Sequence, residues 1–208
     1  APQQPPLTAR TPVSGESARR GGPPPRLPLG STRALSYVDI SDDALGGDSV
    51  CGFFGDVPCM FYRLEGPASL SDWLWLDGLD FHDFANAAVA EGGNPREFAG
   101  CNGMGFTRMP MGFSWAPVLA ERALEFLLEE AGHESDDKLL HGRDTPALER
   151  DRSVVMPYLD DFMGLRRAPS EEGAEAKCVA DLRRAQTTFR SRGLDVHKDG
   201  VGQCFESL

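Results

Sequence analysis

Two adjacent aspartates interrupt an otherwise apolar stretch of this chain. The stretch runs from Val154 to Leu165 and reads VVMPYLDDFMGL, with the acids at Asp160 and Asp161. Ionised carboxylates are costly to bury unless they are paired or bound to a cation. The flanking segments SVVMPY and FMGLRR have the composition of short strands, so the acids are predicted at the turn of a β-hairpin. Aspartate is also a common turn residue, so the pair alone leaves a purely structural interpretation open.

A third acid ends a second apolar, strand-like run. Residues 49–57 read SVCGFFGDV and place Asp56 near the end of that run, with Phe61 five residues later. If the two strands are neighbours, a strand end and a hairpin turn bring three carboxylates toward one divalent cation. Mg²⁺ prefers oxygen ligands and is commonly held by one or two carboxylates together with substrate phosphates. A pair of such ions ~3.5–4 Å apart activates an attacking hydroxyl and stabilises a leaving oxygen.

The remaining pattern predicts an α+β fold with helices packed on an antiparallel sheet. Helices are expected over residues 69–76, 81–90, 116–131 and 171–190, and strands over 34–40, 49–57, 106–111, 153–158, 162–167 and 202–207. Pro117 in a first turn, a Ser170 cap and Gly193 as a stop support two of these helices. Pro157 favours an edge position for its strand because it lacks an amide donor. Residues 129–151, with eight acids against three bases, are expected to form a charged surface loop.

The chain is unevenly charged. Residues 1–33 are rich in Pro, Gly, Ser and Arg and are predicted to be a disordered tail, which leaves 34–208 as the folded domain. The formal net charge is −11, and because residues 1–35 carry five arginines and one glutamate, residues 36–208 carry −15. Such an acidic body is a poor electrostatic partner for a phosphate backbone, which any nucleic-acid function has to overcome.

Cysteine usage and hydropathy indicate the compartment. The five cysteines are scattered and never form a C-x-x-C pair, so neither a disulfide framework nor a zinc site is expected. A reducing intracellular location, nucleus or cytoplasm, is the simpler interpretation. No run of 18 apolar residues occurs, so no membrane span is expected.

Four segments, in order, resemble the motifs of a reverse-transcriptase palm, with a retrotransposon-like character. Asp56–Tyr62 (DVPCMFY) resembles the first motif, an aspartate followed at the fifth position by an aromatic residue. Met109–Pro117 (MPMGFSWAP) resembles the second, and Tyr158–Asp161 (YLDD) matches the third, Y-x-D-D. Arg192–Lys198 (RGLDVHK) is a looser match to the fourth, a Gly-Leu turn followed by lysine. The resemblance covers about residues 36–208.

The resemblance implies an RNA-directed DNA polymerase. Members of this family transfer a nucleotide from a dNTP to a primer 3′-hydroxyl on an RNA or DNA template. By this resemblance Asp56, Asp160 and Asp161 are catalytic and bind two Mg²⁺ ions. Lys198 is then a catalytic residue that helps protonate the leaving pyrophosphate, or else a solvated surface lysine.

The resemblance also implies nucleotide contacts. Phe61 occupies the position of an aromatic gate that would crowd a ribose 2′-hydroxyl. Met111 and Gly112 lie in the second motif, where a glycine lets backbone approach the nucleotide. The alternative is that Phe61 and Tyr62 are strand and core residues with no such role.

Three functions stay open at this point. The chain is expected to be a palm with partial fingers and no thumb, together with any further polymerase segments of a longer precursor. The first function is a Mg²⁺-dependent polymerase. The second is a catalytically inactive retroelement-derived fragment that serves as a binding module or has no function. The third is another metal-dependent phosphotransferase, which would hydrolyse nucleotides without a primer.

Overall fold

The structure is a computed structural model, which describes residues 24–66, 74, 80–97 and 105–202. The chain divides into two compact units, one formed by residues 24–63 and 111–208 and the other by 1–23 and 64–110. The described helices are α1 (Thr32–Leu35), α2 (Asp42–Leu45), α3 (Met60–Arg63), α4 (Phe81–Ala90), α5 (Ala116–Glu130) and α6 (Glu171–Ser191). The described strands are β1 (Ser49–Asp56), β2 (Val154–Tyr158), β3 (Asp161–Ala168) and β4 (His197–Gly202).

The two long helices begin and end at residues with clear stereochemical reasons. In α5, Pro117 lies in the first turn, where a missing amide hydrogen is tolerated. Beyond its end, Gly132 adopts a φ of +90° and donates to the Glu129 carbonyl, while His133 donates to the Leu128 carbonyl. These two bonds form a Schellman motif, which turns His133 back toward the helix. The α6 helix begins after Ser170, whose hydroxyl accepts a hydrogen bond from the Gly173 amide.

The larger unit contains a four-stranded sheet in the order β2-β3-β1-β4, and its three strand pairs are antiparallel. Pro157 lies on β2, at the edge of this sheet, as its missing amide hydrogen predicts. The Pro157 carbonyl accepts a hydrogen bond from the Gly30 amide at 3.1 Å, and Leu139 donates to the Val155 carbonyl at 2.7 Å. Two further chain segments therefore protect the outer edge of β2 from unpaired hydrogen-bonding groups.

The two faces of the sheet are covered differently. On one face α6 packs against β1 and β3, and the rings of Phe162 and Phe189 lie 5.4 Å apart. The other face carries an apolar cluster of buried residues from α1, from the turn after it and from the segment before β2, together with two strand residues: Ala34, Val38, Leu139, Leu148, Val154 and Leu165. Because side chains alternate along a strand, Asp56 and Asp161 lie on this second face, at the end away from Leu165.

Several sequence-based expectations were wrong in the larger unit. Residues 34–40 do not form a strand; the first two are the end of α1, whose hydroxyl cap is Ser31, and the others follow that helix. The last described strand is β4, which begins at His197; the strand predicted at 202–207 lies outside the described residues except for position 202, so it stays a prediction. The folded unit also begins before residue 34, since Gly30 is buried and bonded to β2.

The charged segment 129–151 is not a simple surface loop. It contains a short 3₁₀ helix, and its buried residues are Ala131, His133, Asp137, Lys138, Leu139, Leu140 and Leu148. Lys138 is 2% exposed because its ammonium group donates to the Glu125 carbonyl and to a Glu129 carboxylate oxygen. Charged residues are buried here through paired hydrogen bonds, which a count of acids and bases does not reveal.

The smaller unit is described over residues 64–66, 74, 80–97 and 105–110. Its α4 helix lies where the sequence predicts it, capped by Asp80, whose carboxylate accepts from the His82 and Asp83 amides. The predicted strand at 106–111 is instead an isolated bridge between Glu65 and Arg108. The helix predicted at 69–76 lies outside the described residues, apart from position 74. Across the described part of the chain, every helix is too short or too polar to cross a membrane.

Candidate active site

The acid pair lies at the tip of the β2–β3 hairpin, as the sequence predicts. Tyr158 pairs with Asp161, so Leu159 and Asp160 form a two-residue loop. Leu159 has a φ of +59°, the sign that the first loop residue of a type I′ or II′ hairpin turn requires. Glycine or asparagine normally occupies such a position, so an apolar leucine there is an unusual choice.

The third acid meets the hairpin through the strand register. Asp56 is the direct cross-strand partner of Asp161, and directly opposed residues have Cβ atoms about 4.5–5.5 Å apart. The next amide along, that of Val57, donates to the Asp160 carbonyl at 2.8 Å. The end of β1 is therefore tied to the turn by backbone bonding on both sides of Asp56. This arrangement gathers Asp56, Asp160 and Asp161 at one corner of the sheet.

Lys198 reaches the same corner because β4 is irregular. The pairing of β1 with β4 shifts between Phe54 and Asp56, and Lys198 has a φ of +45° at this shift. Such bulges redirect a side chain relative to a regular strand. The Lys198 ammonium nitrogen lies 3.6 Å from a carboxylate oxygen of Asp56, with the lysine side chain 84% exposed and that of Asp56 17% exposed. An ion pair this exposed is weak and is easily exchanged for another cation.

The electrostatics of this corner favour a cation. Partial burial, followed by repulsion from Asp160 and Asp56, raises the pKa of Asp161, and Lys198 opposes the shift. Three carboxylates that repel one another supply the oxygen ligands that Mg²⁺ prefers, so the donor set fits this ion in its chemistry. Among the described residues, however, no three Asp, Glu, His or Cys side chains are close enough to form a ready metal-binding group.

The predicted nucleotide-binding residues lie on separate local structures. Phe61 is on the short helix α3 and is half-buried, while Tyr62 beside it is 45% exposed. The alternative interpretation of both as strand and core residues was therefore wrong in its structural premise. Met111 is 69% exposed, and Gly112 has a φ of +93° with open space where a Cβ would stand. Both precede α5 in an exposed turn.

Sequence reasoning missed one residue of this site. Glu121 on α5 is fully buried, and one of its carboxylate oxygens accepts a hydrogen bond from the Leu159 amide at 2.6 Å. A glutamate in a predicted helix is ordinarily assigned to the solvent face. The available signal was its spacing, because Glu121 lies three and seven residues before Leu124 and Leu128 and so shares their apolar stripe.

No family model matches the chain, and no curated protein gives a significant match to it.

Proposed function

We propose that the larger unit is a polymerase palm of the reverse-transcriptase type. The observation that carries the proposal is the meeting of Asp56 with the Asp160–Asp161 turn, at the position where the β1–β3 register aligns the two strand ends. The two motifs that supply these acids, Asp56–Tyr62 and Tyr158–Asp161, are far apart in sequence, yet both lie in the larger unit and their acids meet at one corner of its sheet.

The reaction would be nucleotidyl transfer from a dNTP to a primer 3′-hydroxyl. The hydroxyl oxygen forms a bond to the α-phosphorus as it loses its proton, and the bond to the bridging oxygen breaks to release pyrophosphate. Such transfer depends on positioning and charge neutralisation more than on covalent catalysis. Asp56, Asp160 and Asp161 would hold the two Mg²⁺ ions, which supply that neutralisation. Lys198, beside Asp56, would deliver a proton to the pyrophosphate.

The open end of the sheet face supports the binding of a primer and template. On the second face, α1 and the segment before β2 pack around Leu165, and Met156 and Met163 lie against that cluster. Toward the acids this face carries Phe54, which is 47% exposed, and Tyr158, which is 44% exposed. Exposed aromatic rings beside a catalytic corner offer surfaces on which sugars and bases pack. The net charge of −15 over residues 36–208 opposes this binding because it repels the phosphates, and salt screens that repulsion, so binding and extension are to be measured over a range of salt concentrations.

A second function is favoured by two observations at the same acids. Within the described residues the acids do not form a ready metal-binding group, and Lys198 already neutralises part of the charge of Asp56. A catalytically inactive domain that keeps the palm architecture as a binding module would show this arrangement. It predicts the same fold without primer extension.

Primer extension with Mg²⁺ and dNTPs on an RNA template separates the two functions. The test variant is Asp160→Asn, Asp161→Asn, and its matched control is Asp42→Asn, Asp43→Asn, which neutralises another adjacent acid pair on the exposed surface of α2. Polymerase function predicts extension by the wild type and the control and its loss in the test variant. No extension by the wild type at any salt concentration in the series would refute the polymerase and favour the binding module.

A further inference from the structure

The turn that carries the acid pair requires external support. Leu159 is a branched residue with a φ of +59°, a conformation that costs roughly 1–2 kcal/mol for a residue with a Cβ. Strained backbone of this kind persists only when surrounding groups hold it. The β2–β3 ladder holds the two strands that enter and leave the turn, but the Leu159 amide is not part of that ladder.

Glu121 supplies this support from the neighbouring helix. Its side chain is 0% exposed, and Oε2 accepts the Leu159 amide at 2.6 Å. The other oxygen, Oε1, has no hydrogen-bond partner within the described part of the chain. Burial raises the pKa of Glu121, while the bond from Leu159 opposes the rise. A buried carboxylate is a costly way to fill space in a helix stripe, since leucine or methionine would pack there without that cost.

We propose that Glu121 is a positioning residue for the acid pair. It fixes the Leu159 turn, and the turn fixes Asp160 and Asp161 against the end of β1. The link to β1 is direct, because the Asp160 carbonyl accepts the Val57 amide at 2.8 Å. This inference rests on the proposed polymerase function for its catalytic consequence, whereas its structural part is independent of any activity.

The structural part is tested by amide hydrogen exchange, read residue by residue by NMR on the 208-residue chain. Glu121→Met removes the acceptor with a side chain of similar length, and Glu121→Gln retains a carbonyl oxygen as acceptor. We expect slow exchange at Leu159 and Val57 in the wild type and in Glu121→Gln. In Glu121→Met both amides should lose at least about tenfold in protection, while α6 amides stay protected and show that the fold is retained.

The control is Glu125→Gln, one turn further along the same helix. Glu125 is also buried, at 7% exposure, but it pairs with Arg122 and makes no bond to the turn. It should leave the exchange of both amides unchanged. Equal protection of Leu159 and Val57 in the wild type and in Glu121→Met would overturn the inference, as would an equal loss in the Glu125 control.

The catalytic part is tested by steady-state primer extension with the same variants. Misplacement of catalytic groups by about 1 Å can cost about 100-fold in rate, so Glu121→Met should lower kcat by that order with little change in the KM for the primer–template. Glu121→Gln should stay within a few-fold of the wild type. A wild-type kcat in Glu121→Met would overturn the positioning role. If the wild type itself extends no primer, the polymerase proposal fails, and the exchange data alone decide whether Glu121 holds the turn.

Discussion

Lowering the pH from 7 to 4 is expected to destabilise the fold through His133. This residue follows the Schellman turn of α5 and is 1% exposed. Its ring stacks on Phe53 with 6.1 Å between centroids, and its Nδ1 lies 2.8 Å from the Ser153 hydroxyl oxygen. Nε2 has no hydrogen-bond partner among the described residues. The site therefore accommodates a neutral imidazole and has little to stabilise an imidazolium.

The size of the effect follows from the pKa of His133. Burial lowers it from an ordinary value of 6.5 to about 4, with Asp181 opposing the shift and Arg184, Arg166 and Lys138 reinforcing it. As the pH falls, the unfolded chain binds a proton near pH 6.5, whereas the folded chain does so only near pH 4. Stability is therefore complete above pH 6.5 and is lost progressively down to pH 4. A difference of roughly 2.5 pKa units corresponds to about 3 kcal/mol of unfolding free energy.

Urea denaturation followed by circular dichroism at a series of pH values measures this loss. The amide of His133→Asn can replace Nδ1 as the partner of Ser153. Between pH 6.5 and 4, the unfolding free energy of this variant should fall by about 3 kcal/mol less than that of the wild type. The exposed His141→Asn is the matched control and should follow the wild type. Glu121 acts in the opposite sense, because its raised pKa makes the fold more stable as pH falls, so the difference between wild type and variant is the quantity to compare. Parallel curves for wild type and His133→Asn would refute the reasoning.

Two further substitutions test packing and the nucleotide site. Gly164→Ala should lower the unfolding free energy by about 1–3 kcal/mol in urea denaturation, because its Cβ would lie 2.3 Å from the buried Phe53 ring. Gly202→Ala, which meets nothing within 4 Å, is the control, and equal stability of the two variants would contradict the prediction. If the chain is a polymerase, Phe61→Ala should raise ribonucleotide incorporation relative to deoxynucleotide incorporation at least about tenfold, as one lost steric contact allows. Unchanged sugar selectivity in Phe61→Ala would refute the proposal that Phe61 excludes the ribose 2′-hydroxyl.

The elements that the sequence predicted correctly are those with local signals. The α6 helix has its cap at Ser170, its apolar stripe and Gly193 after its end, so neighbouring residues alone determine its bounds. The β2–β3 hairpin is similarly determined by two apolar runs around a polar turn. The strand prediction for residues 34–40 was wrong because the apolar residues of this segment pack in a cluster with Leu139 and Leu165, which are far away in the chain, and do not pair as a strand. Such contacts leave no periodic trace in the local sequence.

The residues of the candidate site also divide into those that the sequence predicted and those that it did not. Asp56, Asp160 and Asp161 are recognisable because acids in apolar runs are conspicuous. Glu121 was missed because its role depends on a single contact between a helix and a turn 38 residues away. Lys198 reaches Asp56 only through an irregularity in β4 that its sequence did not indicate. Identity of the acids was thus predictable, but the groups that orient them were not.

The strand register depends on two pairs of phenylalanine and glycine. Phe53 lies opposite Gly164 and Phe162 lies opposite Gly55 across the β1–β3 pair. A Cβ at Gly164 would lie 2.3 Å from the Phe53 ring, and one at Gly55 would lie 2.7 Å from the Phe162 ring. Each ring therefore occupies the space that the opposite glycine leaves free. A slip of one residue would end both fits, so these pairs favour a single register.

The same register determines where the acids lie. With β3 shifted by one residue, Asp56 would oppose Phe162 or Asp160, and Asp161 would turn toward α6 on the other face of the sheet. The apolar residues around the acids are thus the means by which Asp161 is placed beside Asp56. This accounts for two charges within an apolar stretch: the rings and glycines fix the strands, and the strand ends present the carboxylates. The acids themselves contribute mutual repulsion, which a bound cation would relieve.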